Sequence, residues 1–187
     1  MALSSHLTAA AALIQRSATP EFDEVTERAV AAIAEALRND RPLLVCGNGG
    51  SAADAMHITG ELVGRFLKER RALKAICLSS NAAVLTAWSN DYDYATVFSR
   101  QVEAYAASGG VLFGISTSGN SKNVVNALQA ARAAGMTTVG LTGEGGGKMA
   151  DLCDHLIAVP SRHTPDIQQV HLCIYHYICE MVEARCL

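Results

Sequence analysis

Several devices that commit a chain to specialised surroundings are missing from this one. No apolar run reaches the roughly 18 residues that a helix needs to cross a bilayer, and no basic segment precedes the first apolar run as it would in a secretory leader. The six cysteines (Cys46, Cys77, Cys153, Cys173, Cys179 and Cys186) are widely spaced, form no C-x-x-C pair, and mostly sit inside apolar runs. Buried free thiols in a reducing cytoplasm are therefore expected. No basic block or stripe interrupts the mixed charges, 15 Lys and Arg against 18 Asp and Glu, so nucleic acid is not expected as a direct ligand, and neither is a membrane. What remains is a chain of 187 residues, 50% of them hydrophobic, long enough to bury a real core as one domain.

The apolar pattern has two rhythms. Residues 22–38, EFDEVTERAVAAIAEAL, carry Val25, Val30, Ile33, Ala34 and Leu37 at helical spacing behind an acidic first turn, and residues 5–15 read as a shorter helix. The Ala-rich face of that first helix suits a partner subunit as well as its own core, which places the helical segment 1–40 in a subunit interface. Short continuous apolar runs then alternate with helical patterns, at 43–46, 75–78, 111–116, 138–142 and 155–159. Strands that are apolar throughout are buried on both faces, with the intervening helices as covering layers. The pattern predicts an α/β fold, a three-layer αβα sandwich around a mostly parallel five-stranded sheet. From Pro165 onward the sequence is helical again, with Val170, Ile174, Ile178 and Met181 on one stripe.

Ligands of open α/β sheets gather at the carboxyl ends of the strands, so the loops that follow the strands come next. After the first strand stands GNGGS and after the third STSGNS, Ser116 to Ser121. Glycines and small hydroxyls opening a helix let backbone N–H groups, the helix dipole and side-chain O–H groups converge on an anion, although an N-cap and a tight turn use the same residues. STSGNS holds more donors than a cap needs, which favours a phosphorylated small molecule. No Lys stands in Walker position, which speaks against triphosphate hydrolysis. Gly47, Gly49 and Ala52 also match the G-x-G-x-x-A spacing of a dinucleotide turn, but the second strand ends in CLSSN, with no acid for a ribose hydroxyl.

His57 and Glu61 are four residues apart, on one helical face, a spacing that suits either shared metal chelation or an exposed hydrogen-bonded couple. In the last helix Gln168, His171 and His176 stand among apolar residues, and His171, off the stripe of the other two, reads as a structural histidine. Eight residues of regular helix put Gln168 and His176 about 12 Å apart, too far to share one ion. Either the helix begins irregularly at Pro165, or one of the two ligands comes from a second copy of the chain.

Taken together, GNGGS, DAMHxxxEL, NDY, STSGNSKNV, LTGxxGGKMA and TPxIQ followed by His176 resemble the sedoheptulose 7-phosphate (phosphoheptose) isomerases of the sugar isomerase, or SIS, domain superfamily, from about residue 20 to the C-terminus. That resemblance implies a flavodoxin-like SIS fold and a cytoplasmic homotetramer with active sites between subunits. It also implies an aldose/ketose isomerase acting at the first step toward the heptose of lipopolysaccharide. It further implies one zinc ion per subunit on His57, Glu61, Gln168 and His176, with Glu61 and His176 as the acid/base pair. Sugar phosphate contacts fall by the same resemblance on Asn48, Gly49, Gly50, Ser51, Glu61, Asn90, Asp91, Ser116, Thr117, Ser118, Ser121 and Gln168. Asp91 would bind sugar hydroxyls; the Asn-Asp pair also reads as the start of a turn. Asp166 and Gln169 replace the Arg and Glu usual in related sequences, which bears on charge near the site and on interface pairing.

Two other functions share these loops. A non-catalytic SIS binding protein, similar to the tetrameric partner of the bacterial replication initiator, would lack the metal and acid/base residues that are present here. An isomerase of another phosphosugar, such as arabinose 5-phosphate, usually adds a regulatory domain for which 187 residues leave no room.

Overall fold

A computed structural model describes residues 2–187 and shows an α/β sandwich. Two helices lead, α1 (Leu3–Ser17) and α2 (Pro20–Arg38). The latter starts where both chemistry and sequence direct it: the Thr19 side chain accepts from the Phe22 N–H at 3.3 Å, Pro20 fills the first position, and Glu21 and Asp23 sit in the positive first turn.

Then strands and helices alternate: β1 (Leu43–Gly47), α3 (Gly50–Val63), β2 (Ala75–Cys77), α4 (Ala82–Asp91), α5 (Val97–Tyr105), β3 (Val111–Ser116), α6 (Lys122–Ala133), β4 (Thr137–Thr142), β5 (His155–Ala158) and α7 (Thr164–Arg185). All four strand pairings are parallel and the spatial order is β2-β1-β3-β4-β5, the doubly wound flavodoxin-like arrangement. Each of the five predicted strands is found within a residue or two of its expected bounds.

The continuous apolar runs are explained by what lies on each face. In β1, Leu43 and Val45 point into a core shared with α2, α3 and α7, while Leu44 and Cys46 point into a second core shared with α5 and α6. Successive side chains of a strand alternate faces, and here both faces are covered. Each fully buried Leu contributes about 1.5–3 kcal/mol of transfer free energy, so neither layer can be removed without loss of the fold. The first helix joins through a smaller cluster in which Leu13 meets Val159, Ile167 and Val170.

The cysteines are free, as expected. Burial pushes the Cys153 and Cys179 thiols up to about 12 and raises those of Cys46, Cys77 and Cys186 as well, so these five are packing groups rather than nucleophiles. Cys173 is the exception to burial and lies on the surface of α7.

The strand order reverses between β1 and β3, so the loops after these two strands face one another across the switch point. Both α3 and α7 begin at this carboxyl edge and pack side by side on the same sheet face, running in the same direction. Gly50 meets Gln168 near their starts, His57 meets Tyr175 farther along, and the Phe66 N–H, just past the end of α3, meets Glu183 near the end of α7.

Candidate active site

The loop after β1 and the loop after β3 together line a cavity with Asn48, Gly50, Ser51, Ser116, Thr117 and Ser121, and the start of α7 closes it with Thr164 and Gln168. Ser51 and Ser116 are buried, and the hydroxyls of Ser116 and Ser121 lie 3.0 Å apart. Hydroxyls gathered without a carboxylate, at the N-termini of α3 and α6, suit an anion. Glycine is required at Gly119 and leaves room for a side chain at Gly50. Gly119 has φ +65°, and a Cβ there would lie 2.0 Å from the Gly146 carbonyl oxygen; at Gly50 a Cβ would lie 2.3 Å from Gln168 Nε2. The STSGNS turn is thus pinned against the GGG turn after β4, and Gln168 rests directly on the first turn of α3.

The predicted phosphate contacts divide. Asn48, Gly50, Ser51, Ser116, Thr117 and Ser121 line the cavity, with Gly49 and Ser118 beside them in the chain. Asn90 and Asp91 do not line this cavity in the single chain: they end α4 as exposed residues, with Asn90 Nδ2 donating to Asp91 Oδ1 at 2.9 Å. Residues the sequence did not single out stand at the rim instead. Asn48 Oδ1 accepts from Tyr94 Oη at 2.8 Å and from Asn123 Nδ2 at 2.9 Å, while Asn48 Nδ2 donates to Asn123 Oδ1 at 2.9 Å. The Asn48 amide is therefore held by the protein, and Asn123, two residues past the STSGNS turn, was the available signal.

Farther along the α3 and α7 pair, His57 Nε2 is 3.1 Å from Glu61 Oε1, and the His57 and His176 rings are 5.1 Å apart edge to face. His57 Nδ1 is 2.9 Å from Tyr175 Oη, a partner the sequence reading missed although Tyr175 is seven residues from Gln168 on the same helical stripe. Burial pushes the Asp54 carboxyl up to about 6, against the opposing pull of His57 and a Tyr175 hydrogen bond, and burial together with the Asp54 charge raises the Tyr175 hydroxyl. His171 is buried and its Nε2 donates to the Thr142 carbonyl at 3.1 Å, a structural histidine as expected.

The four predicted metal ligands do not gather within one chain. α7 is a regular helix from Thr164, which removes the irregular start as an explanation, and Gln168 stays at Gly50 while His57, Glu61 and His176 cluster about two turns away. Among the described residues no three His, Cys, Asp or Glu side chains are placed to hold a metal ion. Imidazole and carboxylate are the right donors for zinc, but a single copy does not complete the set. Of the two departures at the start of α7, Asp166 pairs with His163 at 3.1 Å and Gln169 keeps a buried, unpartnered Oε1.

Residues 6–143 match the SIS domain family. The chain is 56% identical over 171 residues to the phosphoheptose isomerase of Pelobacter propionicus, covering 91% of this chain and 88% of that protein. It is 49% identical over 172 residues to the phosphoheptose isomerase of Crocosphaera subtropica, with 92% and 88% covered. It belongs to the phosphoheptose isomerase family of SIS-domain proteins. The solved phosphoheptose isomerase of Neisseria gonorrhoeae superposes with a TM-score of 0.91 at 38% identity, covering 97% of each chain. That agreement extends to the whole fold, both leading helices and α7 included.

Proposed function

We propose that the chain isomerises sedoheptulose 7-phosphate to D-glycero-D-manno-heptose 7-phosphate, the opening step of heptose supply for lipopolysaccharide or another glycan. The observation that carries this reading is the pairing of a carboxylate-free hydroxyl cradle at the switch point with the His57, Glu61 and His176 cluster, in a chain belonging to this family. The cradle hydroxyls of Ser51, Ser116, Thr117 and Ser121 bind the phosphate and so fix the sugar chain. Glu61 takes the proton from the carbon alpha to the carbonyl while His176 protonates the carbonyl oxygen, giving the enediol; Glu61 then returns its proton to the former carbonyl carbon while the neighbouring hydroxyl gives its own back to His176, which forms the new carbonyl and restores both residues. A zinc ion would be held by His57, Glu61 and His176 with Gln168, and would supply Lewis-acid polarisation of the carbonyl.

Because, among the described residues, a single copy places no three of these groups to hold an ion and Gln168 cannot leave Gly50 without breaking the regular helix, we assign completion of the set to a second copy, in a homotetramer with sites between subunits. Exposed apolar residues on α1 (Leu3, Leu7, Ile14) and α7 (Leu172, Tyr177) support an association surface on these helices. Among the described residues no helix is long and apolar enough to cross a membrane, and we place the enzyme in the cytoplasm, where phosphosugars are made.

Purified protein supplied with zinc should deplete sedoheptulose 7-phosphate in a coupled assay, with Glu61→Gln slower by about 10²–10⁴-fold, the usual worth of a positioned acid or base. Absence of turnover in the unmutated protein, or a Glu61→Gln variant equal to it, overturns the reading.

A further inference from the structure

Between the end of α3 and α7 lies a buried ion pair that neither the cradle nor the proton-transfer cluster uses. Arg70 Nε is 3.2 Å from Glu183 Oε1, and both side chains are 1% exposed. Nε itself makes no hydrogen bond and holds the carboxylate by charge, while NH2 donates to the Glu61 carbonyl at 2.8 Å and NH1 to the Gly64 carbonyl at 3.1 Å and the Arg71 carbonyl at 3.0 Å. The glutamate accepts three backbone N–H groups from the following loop, from Phe66 at 2.9 Å on Oε1 and from Leu67 at 2.7 Å and Lys68 at 2.9 Å on Oε2. Burial opposes its ionisation, but the three N–H donors and the Arg70 charge outweigh burial and hold its carboxyl below the ordinary range. Phe66, tethered this way, lays its ring 5.8 Å from that of His176.

We propose that Arg70 and Glu183 are positioning residues of the isomerase site, fixing the α3 end that carries Glu61 against the α7 segment that carries His176. Replacing a buried ion pair by apolar residues is often neutral for stability, so stability alone does not account for its presence. Direction does. An apolar contact between two parallel helices permits sliding along their axes, whereas a carboxylate with three N–H donors and a guanidinium capping a specific carbonyl have one register. Proton transfer between Glu61, substrate and His176 is sensitive to that register, since a displacement of about 1 Å costs on the order of 10²-fold in rate.

The proposal rests on the isomerase reading, and the test separates the two. In the full-length protein, Glu183→Gln keeps the shape but turns an acceptor into a donor that faces N–H groups, and Arg70→Lys keeps the charge but cannot cap both carbonyls; the lysine variant serves if the glutamine one does not fold. The expected result is a kcat lower by about 10–100-fold with KM within about twofold, because the cradle lies at the other end of the helix pair. The His176 ring resonances should shift in both, as the Phe66 ring moves. Variants that melt earlier but keep the parent kcat per folded molecule and unshifted His176 resonances overturn the proposal. A parent that does not turn over sedoheptulose 7-phosphate overturns the isomerase reading instead, and the resonances then decide the positioning on their own.

Discussion

His171 gives a quantitative test of how α7 is seated. Its ring is fully buried, Nε2 must carry the proton because its partner, the Thr142 carbonyl, only accepts, and Nδ1 has no partner. A second proton would create a buried, unpaired charge. Burial accordingly lowers its pKa to about 4, against the raising effect of the Thr142 hydrogen bond. In the unfolded chain the same imidazole titrates near 6.5. As pH falls from 6.5 towards 4 the unfolded state takes up a proton that the native state refuses, so stability is lost across that window, by about 3 kcal/mol in full. Between about pH 7 and pH 5 the loss from this residue is about 2 kcal/mol. Other groups titrate nearby: the lowered carboxyls of Asp154 and Glu183 add to acid destabilisation, while the raised carboxyl of Asp54 opposes it. All of these persist in His171→Gln, so the comparison between the two proteins isolates the histidine. Urea unfolding followed by circular dichroism, at one protomer concentration and at both pH values, should show a variant that loses about 2 kcal/mol less than the parent on acidification. Equal losses would refute the buried neutral imidazole, and with it the account of how β4 anchors the start of α7.

Two more outcomes follow from the cradle and the split ligand set. Gly119→Ala puts a Cβ 2.0 Å from the Gly146 carbonyl oxygen at a φ of +65°, backbone against backbone, so neither loop can yield cheaply. It should destabilise by about 2–4 kcal/mol in thermal unfolding and raise KM for the sugar phosphate in whatever folded fraction remains. If the metal site draws Gln168 from one copy and His57 from another, chains carrying Gln168→Ala and chains carrying His57→Ala, each inactive alone, should regain part of the activity when co-expressed in one oligomer. No activity in mixed oligomers, shown to be mixed by mass, refutes the shared site.

The fold was legible because its signals are local. A strand buried on both faces has to be apolar throughout, and runs such as VLFGIS satisfy that with no knowledge of the neighbouring strand. The loops that line the cavity were legible for the same reason, since GNGGS and STSGNS carry their donors within a few residues. What escaped notice depends on distant pairing. Asn123 and Tyr94 hold the Asn48 amide across 75 and 46 residues of chain, and neither looks unusual in its own segment. Arg70 and Glu183 lie 113 residues apart and pair only once the loop after α3 is folded onto α7. Asn90 and Asp91 are ambiguous in a different way, since an Asn-Asp pair near a helix end suits a turn and a sugar equally, and in the single chain it forms the end of α4.

The parallel run of α3 and α7 explains why a four-residue and an eight-residue spacing coexist in one proposed metal set. His57 and Glu61 are one turn apart on α3, and His176 meets them because the two helices keep a constant offset: Tyr175 faces His57 across 118 residues, and Glu183 faces Phe66 across 117. The same offset carries Gln168 to Gly50, since 168 − 50 is also 118, and so to the cradle end of the pair. A helix pair in fixed register cannot bring residues 168 and 176 to one point, however its side chains rotate. Either Gln168 serves the cradle of its own chain, or it serves a metal through a neighbouring copy. Gln168, resting on the first turn of α3 beside the cradle, can do both only if the cradle of one copy opens onto the His57 cluster of another. On the proposed metal set, the Gln168 to His176 spacing and the register of α3 on α7 together call for a second copy of the chain.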